Sequence, residues 1–229
     1  MTLPRSRGGM GIPSDWIIWS TVATAANICD ELITVRELDG SGYTTVKRYQ
    51  CHTVLTTGAP PGDNLDVTLS AMAGSYAFTG GGYRIWAGAF RTAALTITDR
   101  DIIGTKPIVA SAVGNASEPA NLVTARFADA TKNYVETSPK PIINETYVAL
   151  DGHESPLDIS LQATTDPRQA NYLMGVALEM NRPAFTVTLT VGGIGEDIAL
   201  GDTLQLNIAG RPHYSGRTFE VRRIVDSWN

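Results

Sequence analysis

A chain of 229 residues with 43% hydrophobic and 18% charged side chains can bury one large core or two small ones, which excludes a disordered or coiled-coil protein. Its net charge of −5 argues against a general phosphate-binding surface, because nucleic-acid binders carry a basic footprint. The longest early apolar run, Trp16-Ile17-Ile18-Trp19, falls far short of a signal-peptide core or a membrane span.

Apolar residues at Ile18, Val22, Ala25, Cys29 and Leu32 recur at spacings of three and four, predicting a helix from about Ser14, a candidate N-cap, to Leu32. A strand is expected from Tyr43 to Val54, after the turn Asp39-Gly40-Ser41-Gly42. Pro60-Pro61-Gly62 stops it. Asp63 or Asn64 then caps a short helix with Leu65, Leu69 and Met72 on its buried stripe, ending at Gly74.

Next comes Tyr76 to Trp86, "YAFTGGGYRIW". A phosphate-cradling loop needs a helix after its glycines, to supply free N–H donors and a positive dipole end. Here Tyr83, Arg84, Ile85 and Trp86 follow, residues that suit a pleated surface. The stretch therefore reads as a hairpin turning at Gly80-Gly81 or Gly81-Gly82. Either register puts Tyr76, Phe78, Tyr83 and Ile85 on one face.

Residues 1–88 thus form a small α+β lobe of helix, strand, helix and hairpin. Residues 89–229 are mainly strands: Ala94–Thr98, Asn121–Asp129, Leu157–Gln162, Phe185–Val191, Thr203–Ile208 and Thr218–Val225 all alternate. One helix interrupts near 166–181, with Asp166 as N-cap, Pro167 at the first helical position, and Leu173, Val176, Ala177 and Met180 on its stripe. The expected class is α+β and mainly β, a lobe followed by a β-barrel or sandwich whose inserted helix plugs one end. Gly201-Asp202 reads as a tight turn into a strand with Leu204, Leu206 and Ile208 facing inward.

The search for chemistry finds no catalytic, cofactor-binding or metal-binding residue. No Gly-x-Ser-x-Gly elbow is present. His52, His153 and His213 have no partner at metal-ligand spacing, and Cys29 and Cys51 read as two buried thiols. The carboxylates Asp151–Glu154–Asp158 and Glu196–Asp197–Asp202 lie beside Gly or Pro, in expected solvated loops rather than facing across a cleft. The Asn-x-Ser/Thr sequences at Asn115 and Asn144 are chance matches without a secretory signal.

Four stretches occur in order: "YQCHTVLTTGAPPGDNLDVTLSAMAGSYAFTGGGYRIWAGAF", "NLVTARFADATKNYVE", "TDPRQANYLMGVALEMNR" and "IALGDTLQLN". The ordered set resembles the hub portion of phage tail-tip proteins of the lambda host-specificity type, also found in gene transfer agents and prophages. The resemblance implies a structural role and no enzyme activity or cofactor. Three copies form a ring that continues the tail tube, closes the tip and lets DNA pass through its lumen without specific binding. It implies self-association as a trimer, contacts with distal tail and other tail-tip proteins, and a place in the virion tail tip after assembly in the bacterial cytoplasm. Family members are longer on both sides, so the chain is expected to be a fragment, a split gene product or a minimal relative. The family places receptor binding in parts C-terminal to the matching segments, so receptor binding is not expected of this chain.

Candidate interface residues are Trp16, Trp19 and Trp228, with core packing the alternative for the first two. Two other classes compete: a carbohydrate-binding module stacking sugars on Tyr83 and Trp86, and a wall-degrading enzyme, which lacks an acid pair.

Overall fold

The computed structural model of the chain describes residues 1–5, 9–104, 108–111, 119–182 and 186–225. A 3-10 turn at Ser14–Trp16 leads into α1 (Trp19–Asp30), so the helix expected from Ser14 to Leu32 is broken. Ile17 is bridged in parallel to Tyr83, and the Ile18 amide donates to the Tyr83 carbonyl at 3.0 Å. Backbone groups committed to a strand do not close a helical turn. At the other end Leu32 opens β1 (Leu32–Arg36), which pairs antiparallel with β2 (Tyr43–Lys47). Leu32 is 71% exposed, outside any buried stripe, and β2 stops well before Val54.

Helix α2 (Pro61–Ser70) starts with proline in its first turn and has no side-chain cap. The Asn64 amide donates instead to the Thr56 carbonyl at 2.8 Å. Strands β3 (Ser75–Thr79) and β4 (Gly82–Trp86) pair as a hairpin, turning at Gly80 and Gly81 with φ of 60° and 77°. Positive φ at both turn residues is what a two-residue hairpin loop demands. At its base, a Cβ on Gly88 would lie 2.6 Å from the Ala73 carbonyl oxygen, and one on Gly74 2.7 Å from that of Trp86. Only glycine lets these backbones approach so closely.

The remaining elements are β5 (Leu95–Thr98), β6 (Val109–Ser111), β7 (Leu122–Asp129), β8 (Val135–Thr137), β9 (Ile142–Ile143), α3 (Glu145–Asp151), β10 (Pro156–Leu161), α4 (Pro167–Asn181), β11 (Thr186–Thr188), β12 (Thr203–Asn207) and β13 (Thr218–Glu220). Asp166 caps α4 by accepting from the Arg168 amide at 2.8 Å, with Pro167 following, as expected. Asn144 caps α3 through the Thr146 and Tyr147 amides, which gives its Asn-x-Thr sequence a structural use.

The chain forms two compact units. The first comprises Met1–Tyr76, Gly82–Gly88 and Ala116–Pro183, and the second Ala77–Gly81, Ala89–Asn115 and Ala184–Asn229. The two units interleave along the chain, and residues 116–183, with α3 and α4, belong to the first. In that unit β7 is central: parallel to β10, antiparallel to β8 and β9. Val123, Ala125, Phe127 and Asp129 of β7 are buried in alternation. Helix α4 lies against this strand, and Ala170, Leu173, Met174 and Leu178 join one core with Ala25, Tyr49, Ala87 and the β7 residues. Full burial of Leu173 or Met174 contributes about 2 kcal/mol each. The buried stripe is rotated from the expected one, leaving Met180 43% exposed.

In the second unit β12 pairs parallel with β5 and antiparallel with β13, while β11 pairs antiparallel with β6. Its core is Ile97, Leu206, Ile208 and Tyr214. The Gly201 turn enters β12 as expected, with Gly201 at φ 82° and the Asp202 carboxylate accepting from the Ala199 amide at 2.8 Å. The fold is mixed α+β, mainly β. Its sheets are small and separate, with no closed barrel among the described residues, so α4 covers a strand rather than plugging a barrel.

Candidate interaction surface

The Ser14–Trp16 turn and the start of α1 place two indoles, three positions apart in the sequence, outside the core. Ile17 between them is buried and anchors the segment to β4. A Cβ on Gly82 would come within 2.8 Å of the Ile18 side chain and 3.1 Å of the Trp16 carbonyl, so the turn sits tightly over the start of β4. The Trp19 indole N–H donates to the Ser14 carbonyl at 3.0 Å. That fixes the ring while leaving it 54% exposed, with Trp16 at 49%. Neither belongs to the buried core among the described residues. Trp228 lies outside the described residues.

The polar residues of the quoted motifs do structural work that the sequence did not announce. Asn121 is fully buried; its amide donates to Asp151 Oδ2 and to the His153 carbonyl, both at 2.9 Å, and its Oδ1 accepts from the Ser155 amide at 2.7 Å. Asp151 in turn accepts from both terminal nitrogens of Arg182, at 2.8 and 2.7 Å. The Arg182 guanidinium stacks 4.1 Å from the Tyr147 ring centre. The Arg182 fork, with Asn121 behind it, holds the Asp151 carboxyl down at about 2. Asp151 is therefore an ion-paired anchor between α3 and the end of α4, not the solvated loop residue expected.

Two other buried polar groups fasten the same unit. Gln169 donates to the Gln50 carbonyl at 2.6 Å and the Ala71 carbonyl at 3.2 Å. The Tyr49 hydroxyl donates to the Gly88 carbonyl, and burial pushes this phenol well above its ordinary range. Asp129, at the end of β7, accepts from the amide and hydroxyl of Thr131 at 2.9 and 2.6 Å, contacts that lower its carboxyl. The only signal for these roles was membership in the ordered motifs.

The remaining candidates for chemistry stand apart. Asp158 accepts from the Thr124 hydroxyl, while Glu154, Glu196 and Asp197 are exposed. His52 lies 3.3 Å from the Gln50 side chain, His153 3.1 Å from the Asp151 carbonyl, and His213 is exposed. Cys29 is half-buried, 3.6 Å from the Met72 sulfur, whereas Cys51 is exposed rather than buried. Tyr83 and Trp86 are half-buried on β4. Among the described residues no group of three His, Cys, Asp or Glu could hold a metal ion, and no helix is long and apolar enough to cross a membrane.

No protein-family model and no curated protein matches the chain. Its fold is similar to that of a chain in the virion of a native gene transfer agent particle, with a TM-score of 0.59 at 16% sequence identity over 89% of this chain. This chain spans 43% of that one's length.

Proposed function

We propose that the chain is a structural, non-enzymatic component of a phage or gene-transfer-agent tail tip. It forms part of the baseplate hub that continues the tail tube and supports host recognition and DNA passage. The observation that carries the reading is the fold likeness over 89% of the chain to a gene transfer agent virion chain. The ordered motifs support it, because their polar residues fasten the fold and are not gathered into a reactive site.

On this reading the chain works by self-association, as a trimer, and by docking to distal tail and neighbouring tip proteins in the virion. Trp16, Trp19 and Trp228 are its candidate contacts. Trp19, exposed and held by its indole hydrogen bond, is well suited to become a buried anchor. DNA passes without specific binding, consistent with a net charge of −5.

The test is the solution mass of the purified chain by light scattering on a sizing column, across a range of concentrations. A trimer is expected at the higher concentrations. A chain that stays monomeric throughout removes self-association from the reading and makes a glycan-array screen, for the carbohydrate-binding alternative, the next measurement.

A further inference from the structure

Charge is divided unevenly between the two units. The first holds 11 of the 18 basic and 16 of the 23 acidic side chains, and the second 7 of each. The whole net charge of −5 therefore resides in the first unit. Five of those 11 cations are paired within it: Lys47 with Asp30, Arg48 with Glu31, Lys132 with Asp129, Arg168 with Glu37 and Asp166, and Arg182 with Asp151. Acidic groups such as Asp63, Asp66, Glu136, Glu145 and Glu154 remain exposed on it.

The second unit carries no net charge, and three of its carboxylates are held by its own backbone. Asp99, Asp101 and Asp202 accept from backbone amides of Ala209, Thr98 and Ala199, so these carboxylates cap turns. Between residues 211 and 225 the chain carries four arginines, Arg211, Arg217, Arg222 and Arg223, against a single Glu220. All four arginines are exposed; Arg217, Arg222 and Arg223 flank β13, an edge strand of its sheet among the described residues, and Arg211 lies in the turn before it. Guanidinium groups present planar forks that match carboxylates in two-point contacts.

From this complementarity we infer that the arginine-lined β13 edge of one copy docks on the acidic first unit of a second copy, making a head-to-tail contact. Such a heterologous interface closes into a ring when the rotation between copies permits. The inference rests on the self-association proposed above and names one surface that carries it.

The test compares the wild-type chain with R222E/R223E and, at the other end of the stripe, R211E. Association is measured by sedimentation from about 50 to about 300 mM salt. Expected is an association that weakens steeply with salt and is about tenfold weaker in R222E/R223E, with an unchanged thermal midpoint. R211E shifts in the same direction. Association that is present but insensitive to salt and to all three substitutions overturns the inference while leaving self-association standing; the arginines then only keep an edge strand from pairing. A wild-type chain that never associates overturns both. Binding of a duplex oligonucleotide that R222E/R223E abolishes, with self-association intact, assigns the stripe to nucleic acid and also overturns it.

Discussion

Asp151 is gripped by both terminal nitrogens of Arg182 and by the amide of Asn121, which lowers its carboxyl from 3.8 to about 2. A carboxyl depressed in the folded state binds its proton more readily when unfolded. The stability it contributes is thus complete above the unfolded value and is lost as pH falls through the folded one. Substituting Asp151→Asn is expected to lower the urea midpoint near neutral pH, with the gap to wild type closing between about pH 4 and about pH 2. A gap that persists unchanged at the acid end would show that shape, not charge, holds α3 to α4. Nothing in the local sequence marks this network, because Asn121 reads as the start of a strand and Asp151 as a turn residue, and their meeting depends on a parallel strand pairing.

Elements were legible where local chemistry decides them. The Asp166-Pro167 start of α4 was readable because a cap and a pre-set φ act within three residues. Asp166→Ala is expected to cost about 1 kcal/mol, seen as a lower urea midpoint by circular dichroism. The hairpin at Gly80-Gly81 was readable for a similar reason, and so was the alternation of β7. Other elements were hidden. Leu32 continued the spacing of α1 and so concealed β1, whose existence depends on pairing with β2. The break before Trp19 is imposed by Tyr83, more than sixty positions away. Helix α3 has only seven residues, too few for a periodic signal. The rotated stripe of α4 shows the same limit: Val176 and Ala177 are as apolar as Leu178, and the neighbouring strand selects among them.

For the whole molecule, the number and alternation of strands gave the mainly β class, while their partners stayed invisible. Strand periodicity is the same for parallel and antiparallel neighbours, so the β7–β10 and β5–β12 pairs could not be anticipated, nor the return of residues 116–183 to the first unit. The exposed Trp16 and Trp19 could not be distinguished in the sequence from core residues, since the bridge from Ile17 to Tyr83 that fixes the segment between them joins residues far apart in the chain. Replacing both by alanine is expected to leave the circular dichroism spectrum unchanged and to weaken the proposed self-association, measured by light scattering. An unaltered mass distribution would remove these indoles from the interface.

The first core joins Ala25, near the beginning of the chain, to Leu178. On a ribosome, α1 and the hairpin must therefore wait until α4 has been made and has cleared the exit tunnel. At ordinary elongation rates that delay is on the order of 10 s. Throughout it, Ala25, Tyr49, Ala87 and the apolar face of β7 have no native cover. The polar groups that later fasten the unit, Gln169 and Arg182, are also among its last residues to emerge. The first unit is thus completed late in synthesis, and chaperone demand should be concentrated in that interval.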